Sequence, residues 1–317
     1  MIRLSTGVRL VEVERGGAVE SVHTGHVVVL DAEGGVRYSA GDPSQVVFAR
    51  SSLKPLQAVG MLGTGLKLSR PETALAVASH SGSDQHRQLI EQWLQAGGLD
   101  ESDLACPPAL PIGQAECRAY LAAGKTESRI AMNCSGKHTA MLLSCLANDW
   151  PISGYLAPSH PLQQRLAVAV GELAGEPVAA TAIDGCGAPL FGLSLTAVAR
   201  AFSRIATADG EPARVAEAMR AHPELVAGER RAATTLMRRV PGLIAKDGAE
   251  GVFAAALPDG GALAVKIDDG AGRAADCAAA WALHHLGVDT GLLPELIGAP
   301  VLGGGDPVGV IRPAPGW

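Results

Sequence analysis

Aromatic side chains make up only 3% of the 317 residues, and no apolar run approaches the roughly 18 residues needed to cross a bilayer. The absence of such a run excludes a membrane-spanning helix. The stretch 1–15 alternates charge with apolar residues and lacks the apolar centre of a signal peptide, so a cytoplasmic protein is expected. Six cysteines (106, 117, 134, 145, 186 and 277) lie far apart, which argues for reduced thiols over a disulfide framework. The net charge is -6 and the basic residues are scattered, with no stripe to track a phosphate backbone. Neither nucleic acid nor a membrane is expected as a partner.

Lysine is scarce as well. Of 26 basic residues only six are Lys and 20 are Arg. Arg serves wherever any surface cation will do, but a permanently charged guanidinium cannot replace an amine that must lose a proton. The remaining lysines are therefore informative. Lys54, Lys137, Lys246 and Lys266 stand in Gly- or Ser-rich surroundings, whereas Lys67 and Lys125 read as ordinary surface residues.

What is present is apolar content of 47%, sufficient for a full core. Residues 8–14, 18–30 and 36–40 are rich in β-branched side chains and broken at Gly pairs, which predicts an antiparallel meander. Helices are expected to start at Ser51, Asp84, Ser135, Pro161, Leu195 and Glu211, several behind a capping Ser or Asp. Segments 251–257 and 262–267 flank Pro258-Asp259-Gly260-Gly261 and predict a hairpin, followed by an Ala-rich helix over 272–286. The expectation is an α/β unit: a mixed antiparallel sheet lobe from about 1–50 and 240–317, an inserted and mostly helical middle from about 51–239, and a cleft between them.

Ser51 and Lys54 in Arg50-Ser51-Ser52-Leu53-Lys54-Pro55 are three apart, a spacing that puts both on one helix face, so that the amine can take the hydroxyl proton and create a nucleophile. Ser-x-x-Lys also arises by chance about once in a chain of this size. Two further elements support it. Ala78-Ser79-His80-Ser81-Gly82-Ser83 offers a second hydroxyl, Ser79 with Ser81 and Ser83 as alternatives, and Lys266 stands on a late strand. This arrangement is analogous to serine β-lactamases and penicillin-binding proteins, but their Ser-Asp-Asn and Lys-Thr-Gly motifs are missing. Cys134, Lys137, His138 and Cys186 gather two thiols, an amine and an imidazole, a set suited to Zn²⁺ or equally to buried small residues. An amino-acid ligand would need charges of both signs, for which Arg50, Asp184, Glu250 and Asp268 are candidates, Asp184 first. Any one of them taken singly is as readily a surface ion pair.

These motifs, together with Asn133-Cys134-Ser135-Gly136-Lys137-His138, Asp184-Gly185-Cys186-Gly187-Ala188-Pro189, Lys246-Asp247-Gly248-Ala249-Glu250-Gly251 and Lys266-Ile267-Asp268-Asp269-Gly270, run in an order that resembles the asparaginase II family of rhizobial-type L-asparaginases. The resemblance covers nearly the whole chain. It implies a serine β-lactamase-like fold and hydrolysis of L-asparagine to aspartate and ammonia. It further implies two Ser-Lys pairs, Ser51 with Lys54 and Ser79 with Lys266; Arg50, His80, Asp184 and Glu250 are the expected substrate contacts, with His80 more a support of its loop than a catalytic group. Zinc on Cys134, Lys137 and Cys186 and a homodimer are implied too. Other readings remain: a serine acyl hydrolase of the same arrangement, against which the absent Lys-Thr-Gly counts, or a zinc or amino-acid binding protein with an idle serine.

Overall fold

The computed structural model describes residues 5–317, so Met1 to Leu4 of the charged opening stretch lie outside it. β-Branched segments at the two chain ends meet in one antiparallel sheet. Its strands are β1 (Val8–Arg15), β2 (Ala18–Leu30), β3 (Val36–Ala40), β7 (Ile244–Gly248), β8 (Val252–Ala256), β9 (Ala262–Ile267), β10 (Ala299–Gly303) and β11 (Asp306–Pro313), in the order β10-β11-β1-β2-β9-β8-β7 with β3 also on β2. The 13-residue β2 is the spine: it pairs β1 through residues 18–25 and β9 through 25–30. Pairing of Val11 with Pro313 ties the ends of the chain together. The expected hairpin is β8 and β9, closed by the Leu257 N–H to Gly261 carbonyl bond at 2.8 Å.

Between the two sheet segments the chain is mainly helical: α1 (Lys54–Leu62), α2 (Arg70–Ala76), α3 (Asp84–Ala96), α4 (Gln114–Ala122), α5 (Ser135–Ala147), α6 (Pro161–Ala174), α7 (Leu195–Thr207), α8 (Glu211–Ala221), α9 (Pro223–Val226) and α10 (Ala232–Arg239). Local chemistry fixes several starts. Ser69 and Glu72 form a capping box at α2, and the hydroxyls of Ser83 and Ser194 cap α3 and α7. A small sheet of β4 (Val46–Phe48), β5 (Ala180–Ile183) and β6 (Pro189–Ser194), in the order β4-β6-β5, joins the apolar strand expected over 45–49 to two strands of the middle segment, which the sequence pattern predicts as mostly helical. Each of those strands is too short to show a clear period in sequence.

Every residue of β8 and β9 is buried, so both faces of the sheet are covered there. The helices that pack on these strands are α7 and, late in the chain, α11 (Gly272–Ala282), which is followed by a 3-10 turn over Leu283–Leu286 and by α12 (Pro294–Ile297). Among the described residues no helix is long and apolar enough to cross a membrane.

Candidate active site

The edge strand β7 and the turn leading into α1 are in close contact. Helix α1 begins at Lys54, with Ser51 one turn earlier in the 3-10 segment Arg50–Leu53. Arg50 enters that segment at φ 51°, in the left-handed region that costs a non-glycine residue about 1 kcal/mol. The segment is bolted to β7 by Ser52 Oγ, which donates to the Lys246 carbonyl at 3.1 Å. Gly248 permits the approach: a Cβ there would stand 2.7 Å from the Ala49 carbonyl oxygen and 3.0 Å from Ser52 Oγ. These contacts set Ser51 on the wall of a cavity of about 450 Å³, shared with Ser79, Asn133, the 247–252 hairpin turn and the start of α11.

The lysines divide as the composition suggested. Lys54, Lys137, Lys246 and Lys266 are buried, and Lys67 and Lys125 are exposed. The pairing within the site differs from the expected one. Lys54 Nζ donates to the Ala78 carbonyl at 2.5 Å, to Ser79 Oγ at 3.0 Å and to Cys134 Sγ at 3.0 Å, while Ser51 Oγ has no hydrogen bond among the described residues. Three residues of separation bring Ser51 and Lys54 to one side, but the junction of a 3-10 turn with an α-helix turns the long side chain toward the second serine. Lys266 does not bond Ser79 either. Its Nζ donates to the carbonyls of Glu250, at 2.5 Å, and Ile267, at 2.7 Å, clamping the hairpin turn, and burial lowers its pKa against the upward pull of Glu250 and Asp268. Of the three hydroxyls offered by 78–83, Ser83 caps α3 and Ser81 donates to Glu116 at 3.2 Å, so Ser79 is the one joined to a lysine.

The thiol residues cluster beneath Lys54. Lys137 Nζ lies 3.1 Å from Cys186 Sγ, and the Cys134 and Cys186 side chains interact directly. Burial alone would neutralise Lys137, but the two sulfurs outweigh it and raise its pKa. Cys186 is correspondingly held low, by its bond from Cys134 and by Lys137, while Cys134 is pushed up. His138 Nδ1 is 2.7 Å from Tyr155 Oη, and its Nε2 is buried without a hydrogen-bond partner on the side of Cys186. Among the described residues no three His, Cys, Asp or Glu side chains form a metal-holding group. A set that also counts the lysine amine, two sulfurs, an amine and an unpartnered imidazole nitrogen, does fit the donor preferences of zinc.

The charged residues expected at the substrate are more dispersed. Asp184 faces inward to the thiols, 3.5 Å from Cys186 Sγ, and accepts from Arg50 Nε at 2.8 Å; neither Arg50 nor Asp184 lines the cavity. Only Glu250 of the four expected contacts does, and it lies 3.7 Å from the Arg50 guanidinium. His80 is wholly enclosed, with Nε2 2.9 Å from Ser135 Oγ, and burial lowers its pKa well below the usual histidine range, so it holds the loop as a neutral ring. Asp268 accepts from Thr24 and from the Gly7 N–H.

A second charged cluster was not anticipated. Asp247 takes Lys246 Nζ at 2.8 Å and the Arg231 guanidinium, which together outweigh burial and hold its carboxyl far below the usual range. Burial brings Lys246 down to about 8. Asp276, on the second turn of α11, is raised to about 7, first by burial and then by Asp247. The Lys246-Asp247-Gly248 motif pointed to half of this cluster, but nothing near Asp276 in sequence did.

No curated protein matches the chain. Among solved structures, a β-lactamase from Mycobacterium bovis aligns at 15% identity and a TM-score of 0.38, covering 83% of this chain and 95% of that one. The family model described as L-asparaginase II matches residues 11–313. With the motif lysines buried beside two cavity serines and the match running through nearly the whole sequence, the chain belongs to the L-asparaginase II family.

Proposed function

We propose that the protein hydrolyses L-asparagine to L-aspartate and ammonia, with Ser51 as nucleophile and with Ser79 and Lys54 as its proton path. The observation that carries this reading is the cavity lined by two serines, one of them hydrogen-bonded to a buried lysine, in a chain of this family. Ser51 Oγ is unbonded and free to attack the side-chain amide carbon. As the C–O bond forms, the hydroxyl proton passes through Ser79 Oγ to Lys54 Nζ, the general base of the step. The same proton returns to the departing nitrogen as the C–N bond breaks and ammonia leaves. Water then cleaves the Ser51 ester by the same path and releases aspartate. Lys266 acts as a positioning residue, holding Glu250 at the rim.

The same reading gives Cys134, Lys137 and Cys186 to zinc, with His138 next to the set. A bound zinc would supply a Lewis acid close to Lys54, and the Lys137 amine must shed its proton to ligate it. Family likeness also supports a homodimer, which sedimentation would read, and a cytoplasmic enzyme.

Ammonia release from L-asparagine by the wild-type protein and by Ser51→Ala is the direct test. Loss of at least about a thousandfold in kcat, with an unchanged circular dichroism spectrum, is the expected result. Activity within a few-fold of wild type in Ser51→Ala would remove Ser51 from this role. No ammonia release by the wild type would end the asparaginase reading.

A further inference from the structure

Five charged side chains line the cavity: Arg231, Asp247, Glu250, Arg273 and Asp276. Four have partners within the protein. Arg231 and Asp247 hold each other, Asp247 also takes Lys246, Glu250 faces Arg50, and Arg273 Nε lies 3.3 Å from His23 Nε2. Asp276 makes no hydrogen bond and no ion pair among the described residues. The charges that act on it are Asp247 on β7, which opposes its ionisation, and Arg231 just before α10, which favours it.

A carboxylate in a partly enclosed cavity with no donor is expensive unless something arrives to pair with it. An amino-acid substrate brings an ammonium for that purpose. Divalent cations are poorer occupants, since calcium and magnesium require several oxygen ligands, and the neighbouring carboxylate of Asp247 is already taken by two cations. We infer that Asp276 is the anchor for the α-ammonium of the substrate, with the Arg231 guanidinium beside it receiving the α-carboxylate. This inference rests on the amino-acid hydrolase reading of the same cavity. It makes Asp276 a specificity residue: it selects α-amino acids over otherwise identical amides and takes no part in the proton path of Ser51, Ser79 and Lys54. The raised pKa of Asp276 agrees with a group whose partner is absent until ligand binds.

The test compares L-asparagine with succinamic acid, which is the same amide without the α-amine, in wild type, Asp276→Asn and Asp276→Glu. Asp276→Asn is expected to lower the preference for L-asparagine in kcat/KM by at least about tenfold, mainly through KM, with succinamate little changed and Asp276→Glu recovering part of the preference. A preference unchanged within about twofold overturns the inference, as does an equal loss on both substrates. If the wild type hydrolyses neither amide, the hydrolase reading fails by itself, and calorimetry with L-aspartate and succinate decides Asp276. A loss of L-aspartate binding in Asp276→Asn of about tenfold, with succinate unaffected, supports the anchor. Equal effects on both acids, or no binding of either to wild type, overturn it. Thermal melts of both variants guard against misfolding.

Discussion

Two buried charge clusters flank Lys54, and they are built on opposite rules. In the thiol cluster the charges are paired, Lys137 with Cys186 and Asp184 with Arg50, and Lys54 bonds the Cys134 sulfur. In the acid cluster across β7, Lys246, Asp247 and Arg231 satisfy one another and leave Asp276 over. Lys54 belongs to both, bonded to one and lowering the pKa of Lys246 in the other. A closed set of charges fixes a scaffold or holds a resident ion. A set left open by one charge is suited to a ligand that comes and goes, and the cavity lies on the open side.

The most damaging way to break this arrangement is through the shared residue. Lys54→Arg keeps a cation against Cys134 but cannot accept a proton, so kcat should fall by about 10²–10⁴-fold while the thiol cluster keeps its counter-ion. A Lys54→Arg enzyme with near wild-type turnover would show that the base lies elsewhere. Next comes the closed cluster. Cys186→Ala leaves the Lys137 ammonium buried without its sulfur, and urea unfolding should record a loss of about 3–5 kcal/mol. Elemental analysis of the same variant should find the zinc content reduced relative to wild type. A neutral effect on stability would mean that Lys137 is not paired as described.

The open cluster should respond with the opposite sign. Asp276 is raised from 3.8 to about 7 in the folded protein, so the native state binds more protons than the unfolded chain between these values. Its penalty is absent below the unfolded value, grows as pH rises, and is complete above about 7. Asp276→Asn should therefore stabilise the protein by up to about 4 kcal/mol at pH 8 and by little at pH 4. Denaturant titrations at the two pH values read this directly. Equal effects at both would deny that the carboxylate is short of a partner.

Much of this was legible in the sequence where local chemistry decides the outcome. The β-branched ends, the serine caps and the 258–261 turn gave the strands and helix starts, and the scarcity of lysine singled out four amines that are all buried. The family resemblance made from the ordered motifs agrees with the match over residues 11–313. What the sequence hid depends on side-chain direction after the chain has folded. Spacing placed Ser51 near Lys54, but not the swing of Nζ to Ser79 and Cys134. Nor could it reveal that Asp184 faces the interior, or that Asp276, on an Ala-rich helix far from any motif, turns into the cavity. β10, five residues alternating in exposure at the sheet edge, and β11 beside it, with no fully buried residue, gave too weak a pattern to be anticipated.

The pairing of β1 with β11 also has a consequence in time. Residues 11–15 cannot find their partners at 309–313 until these have left the ribosome, and β2 must wait for β9 at 262–267. Contacts so distant in sequence are slow to form, and a nascent chain halted before β9 would present β2 as an open, apolar edge that invites self-association. Ser51 is synthesised early, yet the hairpin turn that walls its cavity is made some two hundred residues later. The cavity is thus incomplete until synthesis has passed Asp276.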